Sequence, residues 1–166
     1  MRLEKDINMI GQIAAEKEEE NDVFRDFLLT CDSHEIDKTV QDLYGSIAPE
    51  IDCTQCGNCC RSLMINVNDK DITRLSAHLQ IDSKEAKNKY IEQGIGEECI
   101  IKQIPCFFLD INKCTVYESR FNSCRDFPHL DKDGFTLRLF SIMMNYRICP
   151  IIFNVVETLK KEVCFN

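Results

Sequence analysis

The sequence has no apolar run longer than about half a dozen residues, far short of the roughly 20 needed to cross a bilayer. No membrane-spanning helix is expected. Positive charge is not in surplus either: 20 Lys and Arg face 28 Asp and Glu, a formal net charge of −8, and no basic stripe occurs. Proteins that grip nucleic acid through its phosphates need the opposite balance, so a nucleic-acid partner is not expected. The start of the chain is rich in Glu rather than basic and then apolar, which predicts a protein without a signal peptide, in the cytoplasm. Internal repeats, low-complexity linkers, a paired-histidine zinc motif, a nucleotide-binding glycine loop and a nucleophile elbow are all missing. Of the three histidines, His34 and His78 fall on expected helices, and only His129 lies close enough to a cysteine motif to be a minor ligand candidate.

What is present is an apolar share of 44%, enough for a core, and 11 cysteines in 166 residues. In a reducing compartment so many thiols point to metal before disulfides. Charge divides the chain. Residues 1–50 hold 5 basic and 13 acidic side chains, whereas residues 51–166 hold 15 of each. The first stretch has a single cysteine, Cys31, and the other ten lie between Cys53 and Cys164. This predicts an acidic helical extension over 1–50, open to a protein partner through an exposed face, and a cysteine-cluster metal-binding domain over 51–166.

Helical spacing runs through Leu3, Ile7, Ile10 and Ala14, then through Val23, Phe24, Phe27 and Leu28 after the acidic run Glu18–Glu20. Ser33 is expected to cap a third helix bearing Ile36, Val40, Leu43, Tyr44 and Ile47, which Pro49 ends. Beyond residue 50 the pattern is mixed. Arg61–Val67 reads as a short strand, and Asn68 with Asp71 as a helix start followed by Ile72, Leu75 and Leu79. Ser83 is expected to cap a helix closed by Gly94. Phe107–Asp110 and Cys114–Tyr117 read as a hairpin, and a second hairpin is expected to turn at Asp131–Gly134 into the strand-like Phe135–Phe140. Pro150 suits the first turn of a last helix, with Lys160 and Lys161 near its end. The fold class is therefore α+β: a helical N-terminal extension on a small cysteine-rich, metal-centred core with short hairpins and a C-terminal helix.

The chemistry sits in residues 53–60, Cys-Thr-Gln-Cys-Gly-Asn-Cys-Cys. Two-residue spacers let the sulfurs of Cys53, Cys56 and Cys59 face one point, as a thiophilic metal requires, and Gly57 supplies the unusual backbone angle such a loop needs. Cys60 diverges from Cys59, so the two fit different centres or different roles. Cys106, Cys114, Cys124 and Cys149 bring the candidates to eight, enough for two four-sulfur sites or one site with spare thiols. Cys31, Cys99 and Cys164 lack ligand spacing and read as small apolar side chains. The three-sulfur tripod and the Cys149-Pro150 element favour a [4Fe–4S] iron–sulfur cluster over Zn²⁺. Arg120 and Arg125 flank Cys124, where they either offset the negative charge of a thiolate site or pair with Glu118 or Asp126. Phe107, Phe108, Phe121 and Phe127 are expected to wall the site from water.

Four segments together, Cys53-x2-Cys56-Gly-x-Cys59-Cys60-Arg61, Pro105-Cys106-Phe-Phe-Leu109, Cys114-Thr-Val-Tyr117-Glu118-Ser-Arg120 and Cys124-Arg125-Asp-Phe-Pro128, resemble the YkgJ-type CxxCxxCC cysteine-cluster family. The resemblance spans about residues 51–150, and Phe121 departs from it where the family has proline. It implies chelation of zinc or iron and assigns no reaction. Two other classes fit the same residues. One is an interaction module whose zinc is purely structural. The other is a redox enzyme or accessory subunit, in which Cys149, just ahead of a helix, would be a reactive thiolate.

Overall fold

The computed structural model describes residues 3–96 and 98–165. In chain order its elements are α1 (Ile7–Glu16), α2 (Glu18–Leu28), α3 (Ser33–Ile47), α4 (Cys53–Cys56), α5 (Asn58–Ser62), β1 (Asn66–Val67), α6 (Asp69–Leu79), α7 (Ser83–Tyr90), β2 (Ile91–Gln93), β3 (Cys99–Ile101), β4 (Leu109–Asp110), β5 (Lys113–Cys114), α8 (Asn122–Asp126), α9 (Leu139–Tyr146) and α10 (Pro150–Glu162). Short 3₁₀ turns occupy Ala48–Glu50, Tyr117–Ser119 and Thr136–Arg138. The fold is α+β, with small antiparallel sheets and a C-terminal helix. Among the described residues no helix is long and apolar enough to cross a membrane.

Two compact units form: residues up to Asp52 join those from Pro128 onward, and Cys53–Phe127 make the second. The break at Asp52 lies beside the charge boundary, but the last segment folds with the acidic helices instead of with the cysteine loop. The first unit is helical. α3 packs on α10, with α1 and α9 against the same helix. Asp32, not Ser33, is the N-cap of α3, accepting from the amides of His34 and Glu35. Ile36, Val40 and Ile47 bury the face that periodicity predicts. Phe135–Phe140 is not a strand. Asp37 accepts hydrogen bonds from the amides of Gly134 (2.7 Å) and Phe135 (2.8 Å), and the chain turns helical from there. Phe135, Leu139, Ile142 and Tyr146 are buried, which is helical spacing, whereas Leu137 of the apparent alternation is 90% exposed.

Lys160 does not sit at a solvated helix end. It is 5% exposed, and its ammonium donates to Glu20 (2.6 Å), Asn21 (2.6 Å) and Glu157 (2.8 Å), using all three protons. Glu157 also accepts from Tyr146 (2.8 Å) and Lys17 (2.5 Å). A buried charge survives only when answered in this way.

The second unit is built from short pieces. β3 pairs antiparallel with both β1 and β2, and β4 pairs with β5. Ile65, Val67, Leu75, Ile101, Phe108 and Phe121 belong to its apolar core. The capping box at the head of α6 is present, with Asn68 and Asp71 each accepting from the other's amide. Asp82, not Ser83, caps α7, and that helix stops at Tyr90, where the chain extends into β2. The strand expected over Arg61–Val67 shrinks to β1, because Arg61 and Ser62 complete the helical turn that carries Cys59 and Cys60.

Candidate metal centre

The cysteine loop is two single helical turns joined at Gly57. Its φ of +63° lies in the left-handed region, and a Cβ there would come within 2.9 Å of the Asn112 carbonyl oxygen. Glycine is required twice, by conformation and by space. Arg61 ties the loop down. Its guanidinium donates to the Cys56 carbonyl (3.2 Å), the Ile111 carbonyl and Asn112 Oδ1 (2.5 Å), bridging α4 to the β4–β5 turn. The Cys106 amide donates to the Cys60 carbonyl (2.9 Å), drawing the next segment against the loop. Cys114, on β5, faces Leu109 across the hairpin.

Cys124 arrives on α8, and one buried carboxylate sets where α8 begins. Asp71 accepts from the amides of Asn68 (3.2 Å) and Asn122 (2.9 Å) and pairs with Arg74 (2.5 Å). Arg74 donates in turn to the Arg120 carbonyl (2.8 Å) and Asn122 Oδ1 (3.2 Å). The capping box is legible in sequence. Its second task, in which Asp71 holds the Asn122 amide from 51 positions away, is not.

Burial and charge tie four thiols together. Cys106, Cys114 and Cys124 pack at the edge of the apolar core. Desolvation first, then repulsion from Cys60 and from one another, pushes Cys124 up to about 12. Burial, with repulsion from Cys60 and Cys114, pushes Cys106 up to about 11, and burial also raises Cys114. Cys60 runs the other way. A hydrogen bond from Cys59 pulls it down to about 7 against desolvation, and the Arg61 charge adds to the pull. Removing several protons here without a cation would stack thiolates in a half-buried place; a bound metal reverses that cost. Arg120, stacked 3.8 Å over the Tyr117 ring, favours the charged forms of Cys114 and Cys124. Arg120 and Arg125 form no ion pair with Glu118 or Asp126. Both donate to backbone carbonyls, Arg120 to Tyr117 and Arg125 to Arg120 and Glu118.

Among the described residues no three Cys, His, Asp or Glu side chains are closed on one point at metal-ligand spacing. The donor set nevertheless fits a thiophilic metal, being sulfur throughout. Cys53, Cys56, Cys59, Cys60, Cys106, Cys114 and Cys124 all lie in the second unit. Cys149 lies in the first, 7% exposed, as the N-cap of α10. Cys31 and Cys164 are also in the first unit, and Cys99 is on β3. Phe108 and Phe121 are buried as expected, but Phe107 is 39% exposed against the edge of Tyr90.

No curated protein and no solved structure matches the chain. The pattern of one family matches residues 52–150, from the cysteine loop through Cys149-Pro150, under the description "Putative zinc- or iron-chelating domain". That is more than half of the chain, and metal binding is the property the match carries. The chain belongs to the CxxCxxCC family.

Proposed function

We propose that this is a cytoplasmic protein whose thiolates hold an iron–sulfur cluster, with Zn²⁺ as the second reading. The observation behind it is the gathering of Cys60, Cys106, Cys114 and Cys124 from four separate segments into one electrostatically linked group, in the unit that also carries the Cys53–Cys59 loop. Seven candidate ligand thiols in one unit, Cys99 aside, exceed what a single closed tetrahedral zinc site uses, and an all-sulfur set suits iron–sulfur ligation. Cys149 is the eighth proposed ligand, and metal retention in Cys149→Ser is its own test. The bound group would supply the positive charge that lets these thiols ionise and, as a cluster, a one-electron couple. The chain's own residues do the rest. Gly57 lets the loop close, Arg61 holds it to the hairpin, Arg120 offsets negative charge, and Phe108 and Phe121 limit water.

Anaerobic purification with metal analysis and visible absorption tests the reading. Iron with acid-labile sulfide and broad visible absorption supports the cluster. Zinc with no visible band gives the second reading, and no metal at all sinks both.

A further inference from the structure

The helical unit carries a groove that takes no part in thiol chemistry. A cavity of about 420 Å³ lies between α1, α2 and α9. Gly11, Ala14 and Ala15 form the α1 side, and a Cβ added at Gly11 would meet nothing within 4 Å. A glycine in mid-helix weakens the helix, and the usual reason for one, a neighbour packed too close for a Cβ, is missing here. The α9 wall of the groove, where Phe140 and Met144 line it, continues outward as an apolar ridge. Leu137, Phe140 and Met144 are 90%, 75% and 61% exposed and follow one another at helical spacing. Large apolar side chains grouped this way on a surface mark an interaction site.

Charge says what covers it. Glu18 and Asp22 line the α2 side and Arg147 the end of α9. Asp22 has Arg25 at 3.2 Å, but Glu18 and Arg147 have no ion-pair partner among the described residues. A uniformly basic or uniformly acidic helix laid in the groove would meet its own sign on one side. An anionic lipid surface would meet a chain of net charge −8. A second copy meets neither problem, because ridge, groove and both signs of charge lie on one patch, the self-complementarity a two-fold contact requires. We propose that this face forms a homodimer in which Phe140 and Met144 of each copy fill the Gly11–Ala15 groove of the other, with Arg147 of each copy against the partner's Glu18.

Sedimentation velocity of the full-length, metal-loaded protein over a wide concentration range tests this. Wild type is expected to show a concentration-dependent dimer. Phe140→Glu, at an exposed position, should weaken it about a hundredfold or more, since the axis counts each change twice. Gly11→Leu introduces a good helix former, fills the groove and should also give monomer, with circular dichroism confirming the fold. Arg147→Glu and Glu18→Arg should each weaken association about tenfold, and the double exchange should restore most of it. Monomer at every concentration overturns the proposal. So does a dimer indifferent to Phe140→Glu and Gly11→Leu, or a double exchange no better than either single one.

Discussion

α3 and α10 run for 15 and 13 residues, and α10 buries nine of its side chains. In the cysteine unit no strand among the described residues exceeds three residues, and the turns bearing Cys53–Cys60 have four and five. The helical unit closes its interior with apolar faces and answers the buried Lys160 ammonium with three acceptors. The cysteine unit leaves Cys106, Cys114 and Cys124 half-buried at the edge of a smaller core, where burial and mutual repulsion oppose ionisation. Elements this short do not stand on propensity or local hydrogen bonds. The helical unit satisfies its buried charge internally, whereas three thiols of the cysteine unit meet a cost on ionising that a metal would offset.

Removing the metal should break that comparison most. Structural metal contributes on the order of 10 kcal/mol, comparable with the 5–15 kcal/mol of a whole domain. Chelation, or Cys56→Ser or Cys124→Ser, is expected to abolish hydrogen-exchange protection across residues 66–127 while amides of α3 and α10 stay protected. Equal loss in both regions would mean that the units fold as one.

The reverse experiment is Lys160→Ala. It takes the buried cation from Glu157 and Glu20, which keep Lys17, and should cost about 3 kcal/mol, measured by denaturant unfolding, with metal content unchanged. Asp71→Asn is the milder lesion on the other side. It keeps shape but drops the charge that holds Arg74, so a loss of about 1–3 kcal/mol is expected, together with weaker metal retention through the start of α8. Normal metal affinity in that variant would remove Asp71 from the positioning of Cys124.

Acid should separate the units in pH. Cys106 and Cys124 hold protons up to about 11 and 12, so protons compete with metal and mild acidification should release it first. Glu20 is held below 4.5, first by the hydrogen bond from Lys160. Glu157 is pushed up by burial but brought below 4.5 overall by Lys160, Lys17 and Tyr146. Their folded values are depressed, so their stabilisation is present above 4.5 and is lost as pH falls below it. Metal absorption should therefore disappear at a higher pH than the helical circular-dichroism signal; simultaneous loss would contradict the division. The smallest effects belong to Cys31→Ser and Cys164→Ser, both in the helical unit. Each should stay within about 0.5 kcal/mol of wild type at full metal stoichiometry.

Much of this was legible from residue spacing alone. Helical periodicity over the acidic stretch, the Asn68–Asp71 box and Pro150 opening the last helix are local patterns, each decided by neighbours within a few positions; the hairpin expected from Phe107–Asp110 and Cys114–Tyr117 is present but contracts to Leu109–Asp110 and Lys113–Cys114. The caps, one residue earlier than expected, and the shortened strand at Arg61–Val67 were local misreadings, but two others share a long-range cause. Phe135–Phe140 alternates like a strand, yet Asp37, nearly a hundred residues earlier, accepts from the amides that open its helix. Lys160 resembles a helix-end charge until α2 supplies Glu20 and Asn21.

The sequence by itself determined the thiol inventory, the tight Cys53–Cys60 loop with its glycine, and the α+β class, because these depend on residue type and short spacing. Only the tertiary structure decided which thiols feel one another, that Arg61 and Asp71 position the cysteine segments, and that the chain's two ends fold together. Those outcomes depend on burial and on partners roughly 40 to 150 positions apart, and no local pattern encodes them.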